Sequence, residues 1–286
     1  MNCFYIITNS IKDKDLKVTK QISEYLNAHH KTCFIQVKDE RSDAKKNQYT
    51  DAGQIPDEVE CVIVLGGDGT LLRAARDVVD KEIPLFGVNL GTLGYLAEID
   101  VPSVYPALDH LMNDVYEIEK RMMLTGSVYH REQLIEQDIA LNDIVISREG
   151  PLRVVHFHNY VNDAFLNSYN ADGIIISTPT GSTGYSLSAG GPIISPNASM
   201  LLMTPLAPHT LNTRSIVFSD QDCITVEVGQ GRDGAIEKGV ASFDGATIAH
   251  MVTGDKIVIR KSKKDTGIVK ISNISFLETL RNKMNN

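Results

Sequence analysis

The chain has 286 residues, a net charge of -8 and a composition of 42% hydrophobic and 22% charged residues, which is that of a folded globular protein and not a disordered one. The acidic balance is spread along the sequence, which argues against a general nucleic-acid binder with its basic surface but leaves room for a local small-anion site. No apolar run reaches the ~18 residues that cross a bilayer, and residues 1–10 lack the features of a secretory leader, so no membrane partner is expected. Residues 3–8 are a short apolar run, predicted as a strand. Residues 15–29 place Leu16, Ile22 and Leu26 at helical spacing, and 33–37 read as a strand again. Residues 38–56 are polar, charged and broken by Gly and Pro, which predicts a loop. Residues 59–65 are almost continuously apolar, as expected of a strand covered on both faces. A helix is predicted over 70–79, with Leu71, Leu72, Ala75, Val78 and Val79 on one face. A strand over 84–88 follows, then an amphipathic helix marked by Val104, Ala107, Leu108, Leu111 and Met112. This alternation predicts an α/β N-terminal domain, Rossmann-like, with a parallel sheet.

The pattern changes near Tyr116. Strand-like runs at 124–129, 144–147, 154–160, 173–177, 223–228 and 256–261 are separated by turn residues, and helical spacing recurs only around 199–202. The prediction is a mostly β, sandwich-like C-terminal domain. Residues 268–283 offer one more strand and a short helix able to pack back on the first domain. The expected division is therefore 1–116 plus 266–286 against 117–265. Cys3, Cys33, Cys61 and Cys223 form no CxxC pair, and three of them sit in apolar runs. They read as buried thiols of a reducing compartment, so a cytoplasmic location is expected.

Gly66-Gly67-Asp68-Gly69-Thr70 leaves one predicted strand and enters a predicted helix, at the C-terminal edge of the sheet. Its glycines let backbone approach a ligand, and the helix start behind them offers free N–H groups to a phosphate. Gly66, Gly67, Gly69 and Thr70 are thus candidate phosphate-binding positions. Asp68 is out of character, since a carboxylate repels phosphate unless it accepts a hydroxyl proton or holds a metal. The plain alternative is a tight turn with Asp68 capping the helix. There is no GxxxxGK[ST], which excludes a P-loop kinase.

The second constellation is residues 172–192, in which a strand runs into Ser177-Thr178-Pro179-Thr180-Gly181-Ser182-Thr183-Gly184-Tyr185-Ser186-Leu187-Ser188-Ala189-Gly190-Gly191-Pro192. So many hydroxyl and glycine residues can wrap a polar ligand, and Tyr185 adds an aromatic face for stacking. Elsewhere the ordinary readings hold. His156 and His158 share a strand face at a spacing that zinc sites use, but no thiol or carboxylate cluster accompanies them. The cluster 261–264 reads as a solvated turn, and Met122 and Met123 as core filler.

GGDGT, then Val88-Asn89-Leu90-Gly91-Thr92-Leu93-Gly94-Tyr95-Leu96, then Leu141-Asn142-Asp143, then the 172–192 stretch resembles the NAD kinase family in motif order. Diacylglycerol kinases, sphingosine kinases and phosphofructokinases share loops like GGDGT; the 177–192 stretch is the specific part. The resemblance implies phosphoryl transfer from ATP or a related donor, with Mg²⁺, to the 2′-hydroxyl of the adenosine ribose of NAD. It implies Asp68 as proton acceptor, Gly69 contacting the dinucleotide through its backbone, and Arg73 reaching phosphate. It implies Asn142 and Asp143 at the adenosine, and His156, Asn170 and Asp172 around the rest of the dinucleotide. It implies Thr183, Gly184, Tyr185 and Ser188 lining the adenine or nicotinamide pockets, with Ala207 nearby. It also implies a homodimer or homotetramer. Three positions depart from the family pattern: Asp143 for the usual Glu, Gly184 for Ala, and Ala246 for Gln. The competing functions are a lipid kinase of the diacylglycerol or sphingosine class, which needs an apolar acceptor pocket, and a non-catalytic dinucleotide sensor, which has no use for Asp68.

Overall fold

The computed structural model describes residues 1–36, 49–91, 94–150, 154–210, 213–272 and 275–284. The predicted loop over 38–56 therefore lies mostly outside the described residues, as do Thr92 and Leu93. The chain divides into two units, Met1–Arg121 with Asp265–Asn286, and Met122–Lys264.

In the first unit, β1 (Cys3–Thr8), β2 (Thr32–Ile35), β3 (Cys61–Gly66) and β4 (Leu85–Asn89) pair in parallel in the order β4-β3-β1-β2, with the short β5 (Ile99–Asp100) beside β4. Every residue of β1, β3 and β4 is buried, which is why their sequences run apolar without alternation. Helices α1 (Lys17–Ala28), α2 (Asp68–Val78) and α3 (Val104–Met112) connect the strands. Ile22 and Leu26 of α1, Leu108 and Leu111 of α3, and Phe4, Ile63 and Phe86 of the sheet share one core. The helix predicted from Thr70 starts two residues earlier, so Asp68 lies in its first turn.

The second unit is built almost wholly from strands. They are β6 (Glu117–His130), β7 (Gln133–Ala140), β8 (Asp143–Arg148), β9 (Val155–Val161), β10 (Ala164–Ala171) and β11 (Gly173–Ser177). After a 3-10 turn and the four-residue α4 (Tyr185–Ser188) come β12 (Met200–Leu206), β13 (Ile216–Ser219), β14 (Ile224–Val228), β15 (Lys238–Phe243), β16 (Thr247–Val252) and β17 (Lys256–Lys270). One sheet runs β13-β12-β11-β8-β15-β16, antiparallel throughout; the other runs β10-β9-β14-β17, with the β6–β7 hairpin joined to β17. Phe157, Val226 and Ile257 from the second sheet meet Ile146, Ile174 and Phe243 from the first in a single core, and Met122 packs there. The unit is a sandwich.

Two expectations fail here. Residues 200–202 belong to β12, and 199 precedes it, so there is no helix here, because a short apolar run satisfies either period and the sheet decides. The lysines of 261–264 lie inside β17, with Lys261 Nζ 2.6 Å from Asp220, so they are not a solvated turn. The last residues of β17 return to the first unit, where Ile268 pairs in parallel with Leu85, and α5 (Phe276–Met284) follows. Among the described residues no helix is long and apolar enough to cross a membrane.

Candidate active site

β3 delivers the chain to the glycine loop at the C-terminal edge of the parallel sheet. A Cβ on Gly66 would stand 2.3 Å from Thr70 Oγ1, so only glycine fits there. Gly67 occupies the helix N-cap position, and its carbonyl accepts from the N–H groups of Thr70 (2.9 Å) and Leu71 (3.2 Å). Asp68 does not cap the helix. Its carboxylate crosses to the segment after β4, accepting from the backbone N–H of Tyr95 (2.8 Å), Leu96 (3.2 Å) and Ala97 (3.4 Å). Gly94 makes this approach possible, since a Cβ on it would lie 1.9 Å from Asp68 Oδ1. An ionised carboxylate offers about four acceptor positions. Among the described residues three are engaged, which leaves capacity for a ligand.

Asp68, Gly67, Gly69, Thr70 and Arg73 line one cleft of about 390 Å³, while Gly66 is buried beneath it. Asn9, Lys12, Tyr49, Gly94 and Lys283 complete the lining. The Arg73 guanidinium stands 5.9 Å from the Tyr49 ring centre and Lys283 Nζ 4.8 Å from that of Tyr95. Apart from Asp68, the charged groups of this cleft among the described residues are cations, and the N-terminus of α2 adds its positive dipole end. Sequence reading missed Asn9 and Lys12, although they follow an apolar strand as GGDGT does. Tyr49 and Lys283 carry no local signal.

In the second unit Asn142 and Asp143 open β8. The Asp244 carboxylate accepts from the N–H groups of Leu141 (2.7 Å), Asn142 (2.9 Å) and Asp143 (3.0 Å), tying the turn down. Thr178 clasps it from the other side, its N–H on the Asn142 carbonyl (2.9 Å) and its hydroxyl on that of Leu141 (2.6 Å). Gly181 is required because a Cβ would fall 2.2 Å from the Asn142 carbonyl oxygen. Asn142 Oδ1 is buried and has no hydrogen-bond partner among the described residues. Asp143 is only 7% exposed; burial first, and the charge of Asp244 second, push its carboxyl up to about 7.

The stretch 177–192 does not offer all its hydroxyls to a ligand. Thr178, Ser182 and Ser186 are buried and spend their hydroxyls on Leu141, Pro179 and Thr204 respectively. Tyr185, Leu187, Ser188, Gly190 and Pro192 are exposed and Thr183 and Gly184 are half-buried, with the Tyr185 ring half exposed. A further cavity of about 580 Å³ collects His156 and Asn170, together with His209, Arg232 and Glu237, which the sequence had not singled out. Asp172 stands at the end of β10, where its carboxylate accepts from Arg148 Nε at 2.9 Å. Ala207 is exposed, with a left-handed φ of 41°. His158 is paired with Ser168 at 2.7 Å.

The family model for the ATP-NAD kinase N-terminal domain matches residues 4–116, and that for the ATP-NAD kinase C-terminal domain matches 141–271. An NAD kinase of Lachnospira eligens is 48% identical, the alignment covering 99% of this chain and 100% of the relative. An NAD kinase of Agathobacter rectalis is 45% identical over 100% of this chain and 99% of its own. The chain belongs to the NAD kinase family. The fold agrees: a yeast NADH kinase solved with NADH superposes with a TM-score of 0.82 at 24% identity, covering 98% of this chain and 86% of that one. An NAD kinase from Archaeoglobus fulgidus solved with ATP gives a TM-score of 0.76 at 23% identity, covering 100% and 99%.

Within an NAD kinase, the three departures have distinct local consequences. At Gly184 a Cβ would stand 3.2 Å from the Gly181 carbonyl oxygen and 3.5 Å from Asn142 Nδ2, so the missing methyl relieves a tight contact beside Asn142. Asp143 keeps its carboxyl buried and near Asp244; burial first, and that charge second, raise its proton affinity. Ala246 follows the turn made by Asp244 and Gly245, both at positive φ, and brings a methyl where an amide could have reached out.

Proposed function

We propose that this chain transfers the terminal phosphoryl group of ATP to the 2′-hydroxyl of the adenosine ribose of NAD, giving NADP, with Asp68 as the proton acceptor. The observation that carries the chemistry is a carboxylate held by three backbone amides in a cleft whose other charged lining side chains, among the described residues, are the cations Lys12, Arg73 and Lys283. The identity of the acceptor rests on the family. The bond from the 2′-oxygen to the terminal phosphorus forms as the bond from that phosphorus to the bridging oxygen breaks. ADP leaves, and the hydroxyl proton passes to Asp68. Phosphoryl transfer depends mainly on positioning and charge stabilisation, and both are features of this cleft. A sensor without turnover has no use for a carboxylate so carefully placed among phosphate-binding groups.

Gly67, Gly69 and Thr70 orient phosphate through the backbone, with Gly66 shaping the turn beneath them, and Arg73 adds a positive charge. In the second unit Asn142, Asp143, Thr183, Gly184, Tyr185 and Ser188 recognise the adenosine side of NAD, while His156, Asn170, Asp172 and Ala207 serve the remainder. The unpartnered Asn142 Oδ1 supports this assignment, because a buried acceptor without a donor is costly unless a ligand completes it.

Mg²⁺ fits as a companion of the donor. Among the described residues no group of three or more His, Cys, Asp or Glu side chains forms a metal cage. Mg²⁺ commonly binds through substrate phosphates plus one or two carboxylates, and Asp68 is the carboxylate available in the cleft. When bound, the ion neutralises phosphate charge. A homodimer or homotetramer is the proposed assembly, testable by light scattering at assay concentration. A cytoplasmic location is supported by the free thiols of Cys3, Cys33, Cys61 and Cys223. The function is tested by a panel of NAD and NADH against ATP and polyphosphate with Mg²⁺, with NADP read by a coupled dehydrogenase. NADP formation from NAD and ATP is expected, and its absence under all donors would overturn the proposal.

A further inference from the structure

β4, β3 and β1 are parallel neighbours, so the loops leaving their C-terminal ends share one edge of the sheet, where open α/β sheets take their ligands. The loop after β3 brings Gly67, the segment after β4 brings Gly91, and the loop after β1 brings Lys12. The Lys12 ammonium lies over the other two. It is 3.2 Å from the place a Cβ on Gly67 would take and 3.6 Å from the corresponding place on Gly91. A side chain at Gly67 would press on the ammonium, and one at Gly91 would touch it.

The backbone beneath Lys12 is fixed. Asn9 donates its N–H to the Leu65 carbonyl (2.9 Å) and its Nδ2 to Thr70 Oγ1 (3.3 Å), which fastens the loop to GGDGT. Asn9 Oδ1 accepts from the N–H groups of Ile11 (3.1 Å) and Lys12 (3.3 Å). The buried Asp13 then accepts from the N–H groups of Val18 and Thr19, both at 2.9 Å, and from the Thr19 hydroxyl at 2.6 Å. Despite this anchoring, the Lys12 ammonium makes no ion pair among the described residues. The other two cations of the cleft, Arg73 and Lys283, stand against aromatic rings. An ammonium held over bare glycine backbone, on the wall of the cleft that contains Asp68, suits an anion between the two.

Resting on the functional reading above, we propose that Lys12 is a binding residue for the terminal phosphate of the donor, gripping the group that is transferred. Its neighbour Gly67 immediately precedes Asp68, so the ammonium meets the phosphoryl group on the side from which charge must be drawn. The ammonium acts as a point charge, and a charge-assisted contact of this kind is worth about 10-fold or more in affinity.

The test uses the full chain with Lys12→Met and Lys12→Arg. Each is titrated calorimetrically with Mg–ATP and Mg–ADP in the absence of NAD, then assayed for NADP formation. Lys12→Met should lose about 10-fold or more in affinity for ATP and less than about 2-fold for ADP. It should lower kcat while leaving the KM for NAD unchanged, and Lys12→Arg should restore most of both losses. Equal weakening of ATP and ADP, or no weakening of either, would overturn the role given to Lys12. Should the unaltered protein bind ATP but make no NADP, the functional reading falls, while the ATP-against-ADP contrast still decides the placement of Lys12.

Discussion

Replacing Gly94 with alanine separates a positioned Asp68 from a merely present one. The new Cβ would lie 1.9 Å from Oδ1, 2.1 Å from Cγ and 2.2 Å from Oδ2 of Asp68, whereas real Cβ contacts essentially never fall below 3.0 Å. The carboxylate or the turn must therefore yield by roughly 1 Å, the difference between 3.0 and 1.9 Å. A shift of that size stretches the Tyr95 bond from 2.8 Å beyond hydrogen-bonding range and loses the weaker bonds from Leu96 and Ala97. One good charge-assisted bond and two long ones, partly replaced by water, come to about 2–4 kcal/mol of stability. A catalytic group misplaced by ~1 Å costs on the order of 10²-fold in rate. We predict that Gly94→Ala folds, melts several degrees lower, and forms NADP about 100-fold more slowly at saturating NAD and ATP. The assay is initial NADP formation by coupled dehydrogenase, with thermal unfolding in parallel. Turnover within 3-fold of the unaltered enzyme, at a melting temperature showing that the alanine is accommodated, would refute the idea that the 94–97 turn sets the position of Asp68.

Gly69→Ala should behave in the opposite way. Nothing lies within 4 Å of its added methyl, and Ala is the better helix former by about 1 kcal/mol, so the melting temperature should rise while kcat/KM falls because the backbone can no longer approach the ligand. An unchanged kcat/KM would remove Gly69 from the ligand's path. Asp143→Asn should alter the pH dependence of stability. The native carboxyl, at about 7, lies above its ordinary 3.8, so the stability it confers is complete below about pH 4 and lost as pH rises through 7. At about 1.4 kcal/mol per pH unit the ceiling is roughly 4 kcal/mol, and urea unfolding should show the Asn variant gaining on the parent between pH 5 and pH 8. A constant difference across that range would show that the carboxyl is not perturbed. Tyr185→Ala removes a half-exposed ring, so it should raise the KM for NAD more than that for ATP with little change in melting temperature. An equal effect on both substrates would move this stretch to the donor.

The sequence made legible whatever depended on local pattern. β1, β11 and α3 are complete in their own residues, because buried runs and a 3.6-residue stripe need no partner to be recognised. β7, β10, β13, β15 and β16 escaped notice because they are short or half exposed and owe their existence to a neighbour; β10, for instance, is mostly exposed, Phe165 and Leu166 included, and is held against β9. β12 carried a pattern compatible with either period. At the site, Asp68 stood out by its chemistry, but its bonds to the 95–97 turn could not be read, since the partners lie 27 to 29 residues away. The same holds for Asp244 under the 141–143 turn, about a hundred residues on. The hydroxyl-rich stretch signalled a ligand, yet only packing separates Thr178, Ser182 and Ser186, which build the loop, from the surface residues that face outward.

In the proposed reaction Asp68 takes the proton from the ribose hydroxyl. This step is tested most directly by Asp68→Asn, with NAD affinity measured by calorimetry and NADP formation measured in a single turnover. The amide can keep an oxygen toward some of the N–H groups of residues 95–97, but its NH₂ must face another, so the melting temperature should fall modestly. NAD should bind within a few-fold of normal while turnover drops by about 10²–10⁴-fold, the range for loss of a positioned base. Near-normal turnover in the Asn variant would contradict this role, leaving Asp68 as a clamp for the neighbouring turn and the proton with some other acceptor.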